Sequence, residues 1–177
     1  MQEKKHDFNR GPAARRVAFL GLLGALALAL SGLEMLLPPL PMLPPGAKPG
    51  LSNIVTMYAA SGVGLGPALV IALLKGVFAG VTRGLTAFLM STCGGLLSTL
   101  VMALLLRPKK RPFGLVGVGI AGAVTHNAAQ LCVASCLAGG VVWYYLPFLL
   151  VFAVLTGTLT GLLLRVTLPV LEHLRNL

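Results

Sequence analysis

The chain has 177 residues, of which 56% are hydrophobic and only 10% are charged, whereas soluble domains carry roughly 25% charged residues. A soluble domain of this length cannot bury so much apolar surface, so the composition excludes a soluble protein and indicates a membrane protein for which lipid acts as solvent. The net charge of +10 would suggest nucleic-acid binding in a soluble protein. Here the basic residues flank apolar runs, which indicates membrane orientation and no nucleic-acid partner.

The apolar runs predict an all-α, polytopic integral membrane protein with six transmembrane helices. The predicted spans cover residues 15–37, 51–64, 67–83, 85–106, 113–138 and 142–165. We expect one six-helix domain over residues 15–170, between cytoplasmic tails at 1–14 and 171–177. The second and third spans are short for a full crossing, so we expect both to be tilted, or one to be partly re-entrant.

A proline-rich segment separates the first two predicted spans. Residues 38–50 contain six prolines, which exclude a regular helix and predict a stiff, extended loop. Such a loop is suited to act as a lid over one end of the bundle.

The distribution of basic residues predicts the orientation. The N-terminal segment, the loop 107–112 and the C-terminal end together carry eleven of the fourteen Lys and Arg residues. Six spans place these three segments on one side, which the positive-inside rule makes the cytoplasm. Five or seven spans would scatter the clusters over both sides. Both termini are therefore predicted to be cytoplasmic.

Small residues recur every fourth position in several predicted spans. Such spacing lets helix backbones approach closely, and packing within the bundle is our interpretation for most of them, including Gly157 and Gly161. In the first span, Gly21, Ala25 and Ala29 form a candidate face for docking a partner protein.

Polar side chains in the fifth predicted span form the most specific local feature. The spacing of His126, Asn127 and Gln130 places all three on one helix face. A polar group in lipid costs free energy unless it faces a partner or a cavity. The three side chains form either an internal hydrogen-bond network between helices or a ligand or transport site, and we favour the site.

Basic residues in the third predicted span point to an anionic ligand. Lys75 lies mid-span, and Arg83 follows two turns later on nearly the same face. Arg83 can snorkel to the headgroups, but Lys75 is too deep for that to be easy. The one acid near the membrane, Glu34, cannot neutralise Lys48, Lys75 and Arg83 together. This surplus favours a ligand with an anionic part that enters from outside.

The sequence carries no catalytic constellation. It has no paired carboxylates, nucleophile elbow, P-loop or aspartate-rich prenyl-transfer motif. A single acid in the membrane region gives little support for metal-diphosphate chemistry. We therefore expect neither an enzyme nor a cofactor or metal site. Without a nucleotide-binding site, a transporter would draw its energy from a partner or from an ion gradient.

Four collinear segments carry a resemblance to a known family. They are Pro-Gly-Ala-Lys-Pro-Gly-Leu-Ser-Asn at 45–53, which follows Glu34, then Ser-Thr-Cys-Gly-Gly-Leu-Leu-Ser at 91–98, Gly-Ala-Val-Thr-His-Asn-Ala-Ala-Gln at 122–130, and Tyr-Leu-Pro at 145–147 with Thr-Gly at 156 and 160. Over residues 15–165 the chain resembles the Gx transporter family, often labelled heptaprenyl diphosphate synthase component I. Where that family usually reads Lys-Leu-Gly-Leu-Ala-Asn, this chain has Pro49 and Ser52.

The resemblance implies a fold and a set of partners. The family belongs with the S components of energy-coupling factor (ECF) transporters, six-helix bundles in the bacterial cytoplasmic membrane. Such proteins bind a vitamin-like substrate from outside, under the loop between the first two helices. They dock through small residues of helix one on a transmembrane coupling subunit, and two ATPases drive the cycle. Partners besides the substrate would be membrane lipids and this module.

The leading hypothesis is therefore a substrate-binding membrane subunit for uptake of a small, anionic or vitamin-like molecule. The candidate substrate-binding residues are Glu34, Lys48, Asn53, Lys75, Arg83, His126, Asn127 and Gln130. The alternative is a membrane accessory protein of isoprenoid or quinone biosynthesis, with the basic loop 107–112 as a docking patch, although positive-inside topology explains that loop equally simply. A purely structural membrane protein leaves the polar stripe of the fifth span unexplained.

Overall fold

In a computed structural model, residues 13–36, 50–107 and 113–176 are described, and they form an all-α bundle without strands. The helices are α1 (Ala13–Leu36), α2 (Asn53–Tyr58), α3 (Leu65–Arg83), α4 (Leu85–Leu106), α5 (Gly114–Ala138) and α6 (Leu146–Asn176). A π-helical turn, Ala59–Val63, continues α2, and a 3₁₀ segment, Gly140–Tyr145, precedes α6. The predicted lid at 38–50 lies almost wholly outside the described residues.

Glycines in the left-handed region end three of the helices. Gly64 follows the π-helical turn, Gly84 follows α3 and Gly139 follows α5, with φ angles of 136°, 87° and 81°. A residue with a Cβ rarely adopts this conformation, so glycine allows the chain to reverse within a single residue. These short connections make α3 and α4 sequential neighbours that pack against each other.

Five helices are long and apolar enough to cross a membrane: α1, α3, α4, α5 and the unit of α6 with its 3₁₀ segment. The prediction of an all-α, polytopic membrane protein is confirmed. The second predicted span, 51–64, is the exception, because α2 and its π-helical turn cover about 16 Å at 1.5 Å per residue. That is about half of a hydrocarbon core roughly 30 Å thick. The third predicted span is a full-length helix and begins at Leu65.

Two clusters of buried side chains mark the two ends of the bundle. The first contains Phe19 from the start of α1, Met102 from the end of α4, Val118 from the start of α5 and Leu164 from the second half of α6. The second contains Met90, Leu131 and Leu149 from the opposite halves of α4, α5 and α6. We call the first the basic end, because the Arg residues at 15, 16, 107 and 165 lie toward it, and the second the site end.

The short α2 carries the chain through the bundle interior. α1 ends at the site end, whereas α3 begins at the basic end, where Ala68 belongs to the first cluster. The chain must therefore return between them, and α2 is the described part of that path. Its residues Val55, Met57 and Tyr58 are almost completely buried. Being surrounded by protein, this segment does not need the length or the apolar surface of a lipid-exposed span.

The start and the end of the described chain meet at the basic end. The ring of Phe19 packs edge-on against Tyr58, with 6.3 Å between ring centroids, and Tyr58 donates a hydrogen bond to the carbonyl of Leu171. α6 continues to Asn176, so most of the predicted tail at 171–177 is helical. Residues 13 and 14 of the predicted N-terminal tail begin α1, and residues 1–12 lie outside the described part. Which side of the membrane the basic end faces stays a prediction.

Backbone-to-backbone packing fixes α5 against α6. A Cβ added at Gly157 would lie 2.5 Å from Ile120 Cα, and one at Gly161 would lie 2.5 Å from Val116 Cα. Only glycine permits this approach, so the interpretation of these residues as packing positions is confirmed. The contact sets the position of α5, the helix that carries His126 and Gln130.

Candidate functional site

A small polar cavity lies between α1, α2, α3, α4 and α5 and reaches from mid-bundle toward the site end. Its volume is about 30 Å³, which is roughly the space that one or two water molecules occupy. The predicted site residues that line it are Glu34, Asn53, Lys75, Arg83, His126 and Gln130. Six positions separated by up to 96 residues in sequence thus converge on one cavity, which we call the site cavity.

The beginning of α2 is tied to the helices on either side of it. The backbone N–H of Ser52 donates to Glu34 Oε1 at 3.1 Å, which joins it to α1. Lys75 Nζ donates to Asn53 Oδ1 at 2.7 Å, which joins it to α3. The turn before α2 needs glycine, since Gly50 has φ of 77° and an added Cβ would lie 2.8 Å from Asn53 Nδ2. These contacts hold Asn53 in the wall of the cavity beside Lys75.

The site cavity carries an excess of positive charge. Lys75 is only 5% exposed, Glu34 is 5% exposed and Arg83 is half-buried. Glu34 is near enough to interact electrostatically with both cations. Among the described residues of the cavity, one carboxylate and two cations give a net charge of one positive unit. Electrostatic interactions are strong in so apolar an environment, so an anion entering the cavity would be held firmly. Lys48 lies outside the described residues.

His126 and Gln130 form a polar pair on the α5 side of the cavity. They are 7% and 4% exposed, and their Nε2 atoms lie 3.1 Å apart in a hydrogen bond across one helical turn. Within the described part of the chain, Gln130 Oε1 is buried without a hydrogen-bond partner. His126 Nδ1 faces the Gly94 backbone without a well-aligned hydrogen bond. Buried polar atoms without partners are uncommon and point to a missing ligand or water.

Asn127 does not line the site cavity, and its assignment to the substrate site stays a prediction that this position does not support. Its side-chain amide donates to the carbonyl of Leu149 in α6 at 3.1 Å. Consecutive helix positions diverge by about 100°, so the side chain next to His126 reaches the neighbouring helix instead. Asn127 fits the alternative interpretation, a hydrogen bond that links two helices.

Sequence reasoning missed six of the residues that line the cavity: Ser31, Gly50, Ser52, Phe78, Ala79 and Ser91. Ser31 precedes Glu34 by three positions and Phe78 follows Lys75 by three, so helical spacing puts each on the face of a predicted residue. That spacing was a usable signal for both. Ser91 could be found only by knowing how α4 is rotated against α3.

The candidate docking face lies on the outside of α1. Gly21, Ala25 and Ala29 are all exposed, and a Cβ added at Gly21 would meet nothing within 4 Å. The stripe is thus not used for packing against the described helices. Its role in docking a partner stays a prediction.

The described residues give little support for a metal site or a disulfide. Among them, no three His, Cys, Asp or Glu side chains lie close enough together to hold a metal ion. Cys93, Cys132 and Cys136 are all free thiols. What the cavity offers is two cations, a carboxylate and amide and imidazole groups, a set suited to binding a polar molecule.

A family model described as heptaprenyl diphosphate synthase component I matches residues 23–167. The chain belongs to this family. The resemblance predicted from four sequence segments is thereby confirmed, and the match includes every residue of the site cavity named above. No curated protein and no solved structure matches the chain. It therefore stays a prediction that this member of the heptaprenyl diphosphate synthase component I family is related to ECF S components.

Proposed function

We propose that this member of the heptaprenyl diphosphate synthase component I family is a non-enzymatic, substrate-binding membrane subunit resembling an S component. It takes up a small, anionic or vitamin-like molecule through the site cavity. The observation that supports this best is the buried Lys75, which faces a polar cavity together with Arg83, His126 and Gln130. An ionisable residue inside a membrane bundle is costly and marks a ligand or ion pathway by default.

The tether of α2 suggests how the site opens. The site cavity has space for only one or two water molecules, so a larger molecule requires its walls to move. Ser52 and Asn53 are each held across the cavity by one hydrogen bond, to Glu34 and to Lys75. A hydrogen bond to a charged group contributes about 1.5–3 kcal/mol, so the binding energy of a micromolar ligand, about 8 kcal/mol, exceeds the cost of breaking both bonds and can displace the start of α2.

The proposal includes a location and partners. The protein lies in the bacterial cytoplasmic membrane with both termini in the cytoplasm, so that the site end faces outward. The exposed small residues of α1 dock on a transmembrane coupling subunit, and two ATPases supply the energy. The exposure of Gly21, Ala25 and Ala29 is compatible with this docking.

The test is to purify the full chain in mild detergent and identify copurifying small molecules by mass spectrometry. We expect one molecule in near-stoichiometric amount, and we expect Lys75→Met to lose it. Thr82→Val is the matched control, because Thr82 lies on the same helix and its hydroxyl bonds to the carbonyl of Phe78 in its own helix. Absence of any bound molecule, together with unchanged cellular uptake in Lys75→Met and His126→Ala, would show the proposal to be wrong.

The alternative is a membrane accessory protein of isoprenoid or quinone biosynthesis, which the description of the family favours. An apolar cavity of about 240 Å³ between α1, α2 and α6, lined by residues such as Leu26, Val55 and Leu163, offers space for part of an isoprenoid chain. Affinity capture separates the two functions: the alternative requires a soluble prenyl synthase as partner, whereas the first requires a coupling subunit with ATPases.

A further inference from the structure

The charge of the site cavity sets the charge of the ligand that it accommodates best. Among the described lining residues, Lys75 and Arg83 are cationic and Glu34 is anionic. A ligand with one negative charge makes this group of charges neutral. A ligand with two or three negative charges would leave an excess of buried negative charge, and a neutral ligand would leave the positive charge in place. Both are unfavourable in a low-dielectric site.

The polar pair on α5 adds a second requirement. The amide nitrogen of Gln130, which can only donate, faces His126 Nε2 at 3.1 Å. His126 Nε2 is then the hydrogen-bond acceptor, and the amide N–H of Gln130 donates to it. This orientation leaves Gln130 Oε1, buried and without a partner in the described residues, as a free acceptor. A ligand that satisfies it must bring a hydrogen-bond donor.

We propose that the ligand of the site cavity is a small monocarboxylate that also carries an N–H or O–H donor. The carboxylate lies between Lys75 and Arg83, and the donor bonds to Gln130 Oε1. This inference rests on the proposed function and narrows it to a chemical class. Phosphate esters and diphosphates are disfavoured, because they carry more negative charge and because the described residues provide no group of acids to hold a divalent cation beside them.

Three matched probes separate the two requirements. L-Pyroglutamate carries both a carboxylate and a ring N–H. Cyclopentanecarboxylate keeps a five-membered ring and the carboxylate without the lactam N–H and C=O, and 2-pyrrolidinone keeps the lactam without the carboxylate. The assay is isothermal titration calorimetry on the full chain in nanodiscs. We expect pyroglutamate to bind at least tenfold more tightly than either partial probe. Isopentenyl diphosphate and inorganic phosphate serve as the anions of higher charge.

Variants assign each requirement to its residue. Gln130→Met should remove the advantage of pyroglutamate over cyclopentanecarboxylate, because the acceptor is gone while the volume is kept. Thr125→Val is the matched control on α5, since its hydroxyl bonds to Ala121 in the same helix. Lys75→Met should remove the tighter binding of pyroglutamate relative to 2-pyrrolidinone. Lys75→Arg keeps the charge and should retain most of this difference in affinity. Thermal unfolding of each variant confirms that it is folded.

The outcomes distinguish this inference from the proposed function. Tighter binding of phosphate or isopentenyl diphosphate than of pyroglutamate overturns the carboxylate assignment, and so does a copurifying molecule that is neutral or carries two charges. In both cases the proposed function stands if Lys75→Met abolishes that binding. An unchanged preference for pyroglutamate in folded Gln130→Met overturns the donor assignment alone. If no probe binds and no molecule copurifies, the inference fails, and unchanged cellular uptake in Lys75→Met and His126→Ala then shows that the proposed function fails as well.

Discussion

Replacement of Gly94 by alanine should weaken ligand binding in the site cavity, although Gly94 is not one of its lining residues. It packs against His126 where α4 meets α5. A Cβ there would lie 2.9 Å from His126 Nδ1, 3.0 Å from Cε1 and 3.0 Å from the backbone carbonyl oxygen. Because ordinary contacts begin near 3.4 Å, the imidazole must move by about half an ångström. Rotation of the ring alone does not relieve the contact with the carbonyl oxygen.

The size of the effect follows from what the displaced ring loses. Overpacking of this kind costs about 1–3 kcal/mol of stability. Movement of His126 also loosens its hydrogen bond to Gln130, the residue that presents the free acceptor to the cavity. A net hydrogen bond of about 0.5–1.5 kcal/mol corresponds to roughly a two- to tenfold change in ligand affinity. We therefore expect a lower unfolding temperature and weaker binding in Gly94→Ala.

The neighbouring glycine provides the control. A Cβ at Gly95 would lie 3.6 Å from Ala72 Cβ, an ordinary contact, so Gly95→Ala makes the same chemical change on the same helix without a clash. The assay is calorimetric titration of both variants with the copurified molecule or with pyroglutamate. Equal affinity in Gly94→Ala and Gly95→Ala would refute the reasoning that His126 must stay in place to position Gln130.

Three further predictions concern the fold. Gly157→Ala should destabilise the bundle by about 1–3 kcal/mol in thermal unfolding, because the added Cβ meets the Ile120 backbone at 2.5 Å, whereas Gly21→Ala should leave the unfolding temperature unchanged or slightly raised. Asn127→Leu should lose about 1 kcal/mol of stability with unchanged ligand affinity; a specific loss of affinity would return this residue to the substrate site. Tyr58→Phe should cost about 0.5–1.5 kcal/mol through the lost bond to Leu171, and an unchanged unfolding temperature would contradict a stabilising hydrogen bond there.

The helices could be predicted from the sequence because lipid enforces a simple rule. A segment in contact with hydrocarbon must be apolar, helical and long enough to cross, so the ends of the apolar runs gave α4 as 85–106 without error and the end of α5 at 138. The rule fails for α2, because protein rather than lipid surrounds that segment. The thickness of the hydrocarbon core therefore does not set its length. The apolar run 51–64 was therefore predicted as a short span, tilted or partly re-entrant, although only the residues 53–63 are helical.

The site could be predicted in part, because the cost of burying a polar group applies to each residue separately. Lys75, His126 and Gln130 could be identified one by one from their depth in apolar runs, and the structure brings them together in the site cavity. Asn127 follows the same rule, but its partner is the carbonyl of Leu149 rather than a cavity. The rule detects that a polar group needs a partner and does not specify which partner, since that depends on how the helices are rotated against each other.

The central claim is that a small anionic molecule binds in the site cavity, and a ligand-bound structure of the purified full chain tests it most directly. The account predicts density for the copurified molecule between α3 and α5, with its anionic group at Lys75 and a polar group at Gln130. Density for a ligand in the apolar cavity between α1 and α6, with water alone beside Lys75, would contradict it.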